Sequence, residues 1–410
     1  MDSKPLDIIL FGATSFVGQI TTEYLFTEIG IGKDVKWAIA GRSEKKLNAI
    51  KANLGPEAEN LPIIVADSLD SASLNAMCQQ TDVILSTVGP YALYGETLIE
   101  ACVNNGNDYC DLTGEAYWIK KMLVKYENLA KKTGARIVNC CGFDSIPSDL
   151  GVFFLQQISQ EQSGTLCNDV KLRVKAMKGG VSGGTVASGI EMAKAAHKKP
   201  ALRREMGNPY LLSSKDHTSR IVQPRLLKPT FDKDFNAWSA PFIMEAINSR
   251  VVLRSHSLAH ANTSDNFSYG EGILTGKGLR GYLRACTVTL ALGLFSLGTK
   301  NRLLRHLMQQ YLLPKPGQGP SKQQQLNGFF DLRLIGKNNQ QSIRVKVLGD
   351  RDPGYGCTAK MLVQSGLCLA FDIKKSDLEG GFWTPATAMG EPLIKRLTES
   401  AGMSFEQISR

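Results

Sequence analysis

The sequence predicts an α/β protein: a doubly wound parallel sheet over residues 1–150, a second α+β domain on a mostly antiparallel sheet over 151–380, and a C-terminal helical segment, 381–410. Three observations lead there. The apolar residues Leu6, Ile8, Ile9, Leu10 and Phe11 run into Gly12, and helical spacing begins directly behind it. This succession of strand, polar strand end and helix recurs as far as Ser148. Beyond Gln160 apolar and charged residues alternate instead, the pattern of strands with one wet face.

The first strand end reads as a phosphate cradle. Gly12 permits a tight turn, and Val17, Ile20, Tyr24 and Leu25 recur at helical spacing, so the unpaired N–H groups of that helix point back at the turn. The dinucleotide fingerprint asks for three glycines. Here Gly12 and Gly18 are present and Ser15 stands between them, with Thr14, Phe16 and Val17 completing the loop. The serine hydroxyl is small and is expected to donate to a phosphate.

The second strand, Val35–Ala40, ends in Gly41, Arg42 and Ser43. An NAD site carries an acidic residue at this place, whereas an arginine pairs with a 2′-phosphate, so the cofactor is expected to be NADP(H). The third strand, Leu61–Ala66, closes on Asp67, either an acceptor for adenine or the cap of the following helix. The fourth, Val83–Leu85, leads to Val88, Gly89, Pro90 and Tyr91, placed by the strand order to face the nicotinamide end. Polar clusters then follow two more strands: Asp111–Glu115 and Gly142–Ser148. Six strands with five helices make a complete Rossmann-type sheet.

Composition bounds the rest. At 410 residues two domains are expected; 43% hydrophobic and 21% charged residues describe a soluble globular chain with no secretory signal in Met1–Asp7. Nine cysteines without a C-x-x-C pair fit a reducing compartment and not a disulfide framework or a zinc site, so no metal is expected and the expected location is cytoplasmic, with peripheral membrane contact open. The net charge of +10 is spread along the chain without a nucleic-acid motif; a phosphate-bearing cofactor and an anionic membrane surface suit it better than DNA or RNA.

In the second half, Val170–Ala176 reads as a strand, and Phe329–Ile335 with Ile343–Val347 as a hairpin. Gly179–Gly189 is either a lid or a plain loop ahead of a helix near Ile190–His197. From Ala285 to Thr299 no residue is charged, with Lys277, Arg280 and Arg284 before and Lys300, Arg302 and Arg305 after. The run reads as too short to span a bilayer, leaving peripheral membrane contact through 282–299, a re-entrant segment, or a buried core or homodimer helix. Thr384 and Pro385 open a last helix toward Ser400.

GATSFVG, AGRS, STVGPY, YCDLTGE and CGFDSIPSD, then SGGT at Ser182, PKPGQGPS at Pro314, DPGYGCTAKML at Asp352 and GGFWTPATAMGEPL at Gly380, resemble in order the saccharopine dehydrogenase-like oxidoreductases, in particular the trans-acting enoyl reductases. The resemblance implies an NADP(H)-dependent oxidoreductase, acting on an enoyl or related group of a lipid-linked or hydrophobic acyl substrate, with the C-terminal helix of 381–410 packing back on the nucleotide domain. Two other readings stay open: a nucleotide-binding protein without turnover, and an amino-acid or imine dehydrogenase. Among proton-donor candidates, Tyr91, Tyr94, Asp111, Glu115, Asp144 and Tyr355, we select Tyr91, Asp111 and Asp144; no Tyr-x-x-x-Lys pair occurs, and water is the alternative source. Asp111 with Glu115 could instead brace the loop, and Asp144 cap a helix.

Overall fold

A computed structural model describes residues 4–32, 34–180, 200–214, 221–260, 266–300, 306 and 319–409. Its first sheet is built from β1 (Leu6–Phe11), β2 (Trp37–Gly41), β3 (Ile63–Val65), β4 (Thr81–Ser86), β5 (Asp108–Asp111) and β6 (Arg136–Val138). Intervening helices are α1 (Phe16–Tyr24), α2 (Glu44–Leu54), α3 (Ser71–Cys78), α4 (Tyr91–Tyr94), α5 (Glu96–Asn104) and α6 (Ala116–Thr133). All pairings are parallel, and β1 lies between β2 and β4. There the strand order reverses, which opens a crevice at the carboxyl ends. Ile8, Ile9 and Leu10 are buried completely, as a strand covered on both faces requires.

After α7 (Ile146–Ser163) the chain enters the second sheet: β7 (Asp169–Lys178), β8 (Thr230–Asp232), β9 (Ala237–Ala240), α8 (Glu245–Ala259), β10 (Ser268–Gly276), α9 (Gly278–Lys300), β11 (Phe329–Lys337) and β12 (Ser342–Gly349). The β11–β12 hairpin forms as expected, from Phe330 opposite Gly349 to Lys337 opposite Ser342. Five pairings in this sheet are antiparallel, and β7 with β10 is parallel. α7 packs on β11 and β12: a Cβ at Gly151 would touch Leu334 and Val347 at 3.3 Å.

The last segment departs from the sequence expectation. α10 (Thr358–Leu367) lies on the first sheet, where a Cβ at Gly366 would come within 2.5 Å of Leu85 Cδ2. β13 (Gly381–Trp383) then pairs parallel with β6 as a seventh strand. Arg136 fastens the intervening chain: fully buried, it pairs with Asp108 and donates to the carbonyls of Leu369 and Ile373. α11 (Pro385–Ser400), opened by a Thr384–Thr387 capping box and kinked at Gly390, packs on α7 and α10. However, β14 (Met403–Gln407) joins the second sheet beside β12. Thus 381–410 is shared between the two sheets, and 358–367, expected in the second domain, covers the first. The expected lid beyond Gly180 and helix near 190–197 lie outside the described residues.

Candidate functional site

The cradle forms at the β1–α1 junction, and its two glycines are there for separate steric reasons. Gly12 has a φ of +92°, and a Cβ on it would lie 2.7 Å from Val88 Cγ2 and 2.8 Å from Thr87 Oγ1. A Cβ on Gly18 would sit 2.1 Å from the Gly12 carbonyl oxygen. Both approaches exclude a side chain. Ser15 does a different job from the one expected. Its Oγ accepts from the Gly18 N–H at 2.9 Å, capping α1, and donates to Thr87 Oγ1 at 3.0 Å. Thr87 in turn donates to the Gly12 carbonyl at 2.9 Å. The hydroxyl pair therefore ties β1 to β4, and the N–H groups of Phe16 and Val17 are left without a protein acceptor among the described residues.

Phe16 lies beneath the second domain, its ring edge-on to Tyr355 at 5.2 Å. Asp352 holds that contact: one carboxylate oxygen accepts from Gly180 N at 2.9 Å, the other from Tyr355 N at 2.8 Å. Neither Thr87 nor Asp352 was singled out from the sequence, although both stand inside the STVGPY and DPGYG runs.

At the end of β2, Gly41 is buried beside Thr14, Arg42 is exposed and makes no ion pair among the described residues, and Ser43 caps α2 by accepting from Lys46 N. Asp67 accepts from Leu69 N at 3.0 Å and does not cap the next helix; Asp70 does. Val88 and Pro90 are half-buried and Gly89 exposed at the end of β4.

The proton-donor candidates separate by their partners. The Tyr91 hydroxyl donates to the Ser86 carbonyl at 3.0 Å and accepts from Leu112 N at 3.1 Å; burial raises its pKa far above the ordinary phenol value. Glu115 accepts from the N–H groups of Tyr91 and Ala92. Asp111 is fully buried and accepts four hydrogen bonds, from Tyr109 Oη, Thr113 N, Asn139 Nδ2 and Cys140 N, at 2.7–3.1 Å. Burial pushes its pKa up to about 6, against the pull of those donors. These groups brace the loops. Asp111 in particular holds Cys140, whose φ of 63° is rare for a residue with a side chain. Asp144 differs: its carboxylate makes no hydrogen bond among the described residues, lies against Gly114, and has a pKa raised by burial to about 6. The N-cap position of α7 belongs to Ser145, and no side chain caps it.

Residues 8–138 match the model of the saccharopine dehydrogenase NADP-binding domain. Over nearly the whole chain the protein is similar to trans-acting enoyl reductases of Mycobacterium tuberculosis, 37% identical over 96% of both chains, and of Mycobacterium leprae, 35% identical over 98% of this chain and 97% of the relative. The chain belongs to the saccharopine dehydrogenase-like oxidoreductases. Saccharopine dehydrogenase (L-Glu forming) from Saccharomyces cerevisiae shares the fold, with a TM-score of 0.54 at 12% identity over 98% of this chain and 100% of that one. As a member of this family, the protein is an oxidoreductase and its cofactor is NADP(H). The residues fit it: the two crowded glycines and the free N–H groups of α1 suit a pyrophosphate, and the unpaired Arg42 suits a 2′-phosphate.

Proposed function

We propose that this oxidoreductase reduces the C=C bond of an enoyl group on a hydrophobic, lipid-linked acyl substrate in the cytoplasm. The observation that carries this reading is the similarity, along nearly the entire chain, to proteins named trans-acting enoyl reductases. NADPH, when bound, supplies a hydride to the β-carbon of the enoyl group.

The chain's own residues do the rest. Gly12, Gly18 and the α1 N–H groups hold the pyrophosphate, and Arg42 selects the phosphorylated ribose. Asp144 is the catalytic acid: its carboxyl holds a proton, releases it to the α-carbon, and takes another from solvent. The free carboxylate, its position after β6 and its raised pKa support this role. Asp111, Glu115 and Tyr91 position the loops around it.

Purified protein with NADPH and a panel of enoyl thioesters of increasing chain length tests the reading, followed by loss of absorbance and product mass. Saturated product that forms faster as the chain lengthens is expected. Oxidation of NADPH only with small imino acids, or binding without turnover on every panel member, would overturn it.

A further inference from the structure

Helix α9 is apolar and almost uncovered. The uncharged run, read from the sequence as too short to span a bilayer, is part of a longer helix: Gly278–Gly298, 21 residues with a mean hydropathy of 1.3, is long and apolar enough to cross a membrane, yet only 17% of it is buried. Leu283, Leu290, Leu294 and Leu297 are all more than half exposed. A helix apolar around most of its circumference is stable in water only when something covers it. The helix is anchored at its start: Gly281 and Ala285 are buried, Thr275 Oγ1 donates to the Gly281 carbonyl, and Tyr282 packs on Trp238 at 4.7 Å, with Phe231 behind. From Cys286 to Leu297 no residue is buried.

Charge identifies the cover. Between Glu271 and Asp331 the chain carries eight lysines and arginines and no acidic residue. Lys277, Arg280 and Arg284 are exposed at the base of α9. The carboxylates of the adjoining edge are taken: Asp232 pairs with Arg173, and Asp234 with Lys171 and Lys337. A two-fold dimer would set this cationic surface against itself. A surface of anionic lipid headgroups would neutralise it.

We infer that α9 docks the protein on an anionic phospholipid bilayer, lying in the headgroup boundary with its leucines in the acyl layer. Connectivity makes the attachment one-sided. The chain enters α9 from β10, and by Gly319 it is back at the same body, where a Cβ would touch the Phe16 ring at 2.3 Å. The basic start of the helix, Lys277, Arg280 and Arg284, then sits among headgroups, and the Phe231–Trp238–Tyr282 cluster forms an interfacial aromatic anchor.

The test is co-sedimentation of the full-length protein with phosphatidylcholine vesicles, with and without phosphatidylserine, alongside tryptophan emission. Binding is expected only with phosphatidylserine, with a blue shift and reversal by salt. Arg280→Gln/Arg284→Gln should weaken partitioning by about 30-fold, and Leu290→Ser/Leu294→Ser/Leu297→Ser should abolish it, with NADPH binding unchanged in both. Equal binding to both vesicle types, or retention by the leucine variant, would overturn the inference. So would absence of vesicle binding with a concentration-dependent dimer that the leucine variant dissolves, since the cover would then be a second copy of the chain.

Discussion

Replacing Gly12 by alanine probes the cradle most directly. The backbone there has a φ of +92°, and the new Cβ would meet Val88 Cγ2 at 2.7 Å and Thr87 Oγ1 at 2.8 Å. An L-residue at positive φ costs about 1–2 kcal/mol, and overpacking a buried contact adds about 1–3 kcal/mol. The turn can relieve this strain by moving, which breaks the Thr87 bonds to Gly12 and Ser15. Phosphate binding then has to restore the turn against the same free energy. The NADPH dissociation constant should therefore rise at least about 30-fold, the equivalent of 2 kcal/mol. Titration of NADPH fluorescence reads the affinity, and a thermal melt confirms folding. Gly41→Ala serves as the stability control, since its Cβ would meet nothing closer than 3.7 Å. A folded Gly12→Ala protein that binds NADPH like the parent would refute the cradle.

Ser15→Gly should leave NADPH binding intact, because glycine is a tolerable N-cap and frees the Gly18 N–H; Ser15→Ala should lose about 1 kcal/mol of stability in chemical denaturation. Arg42→Ala should weaken NADPH at least about tenfold while leaving NADH unchanged, as loss of a charge-assisted bond to a 2′-phosphate predicts; equal losses for both would exclude that contact. Asp144→Asn should lower kcat by about 10²–10⁴-fold with NADPH affinity retained. In the parent, the rate of reduction should fall as pH rises above about 6, where Asp144 gives up its proton, and the Asn variant should lack that limb. A small effect on kcat would leave water as the donor. Stability should also depend on Asp149, which is buried between α7 and α11, accepts from Ser255 Oγ and Ala386 N, and has a pKa raised by burial from 3.8 to about 7. Its folded pKa exceeds the unfolded one, so its contribution is full below about pH 4 and is lost as pH rises to 7, by about 4 kcal/mol in all. Urea melts from pH 4 to 8 read this slope, and a slope unchanged in Asp149→Asn would refute it.

The junction of strand, glycine turn and helix was legible because its signals are local. An apolar strand, a glycine and a helix face occupy thirteen consecutive residues, Leu6–Gly18, and the steric demands of Gly12 and Gly18 arise within that loop and the next strand end. The place of Arg42 at the end of β2 was legible for the same reason. The roles of the polar groups were not. Ser15 reads as a phosphate donor until Thr87 appears beside it, and Asp111 reads as a candidate acid until four donors, from β5 and from the loops after β5 and β6, surround it. Partners that lie 72 residues away in the chain leave no periodic trace.

By itself the sequence determined the doubly wound sheet, the hairpin of the second domain and the identity of the cofactor, because hydrophobic period and turn chemistry act between near neighbours. Only the tertiary structure decided that Gly381–Trp383 adds a seventh strand, that the C-terminal segment is divided between two sheets, and that the apolar helix lies uncovered. Those outcomes depend on which surfaces remain vacant once the local elements have formed, a property of the assembled chain.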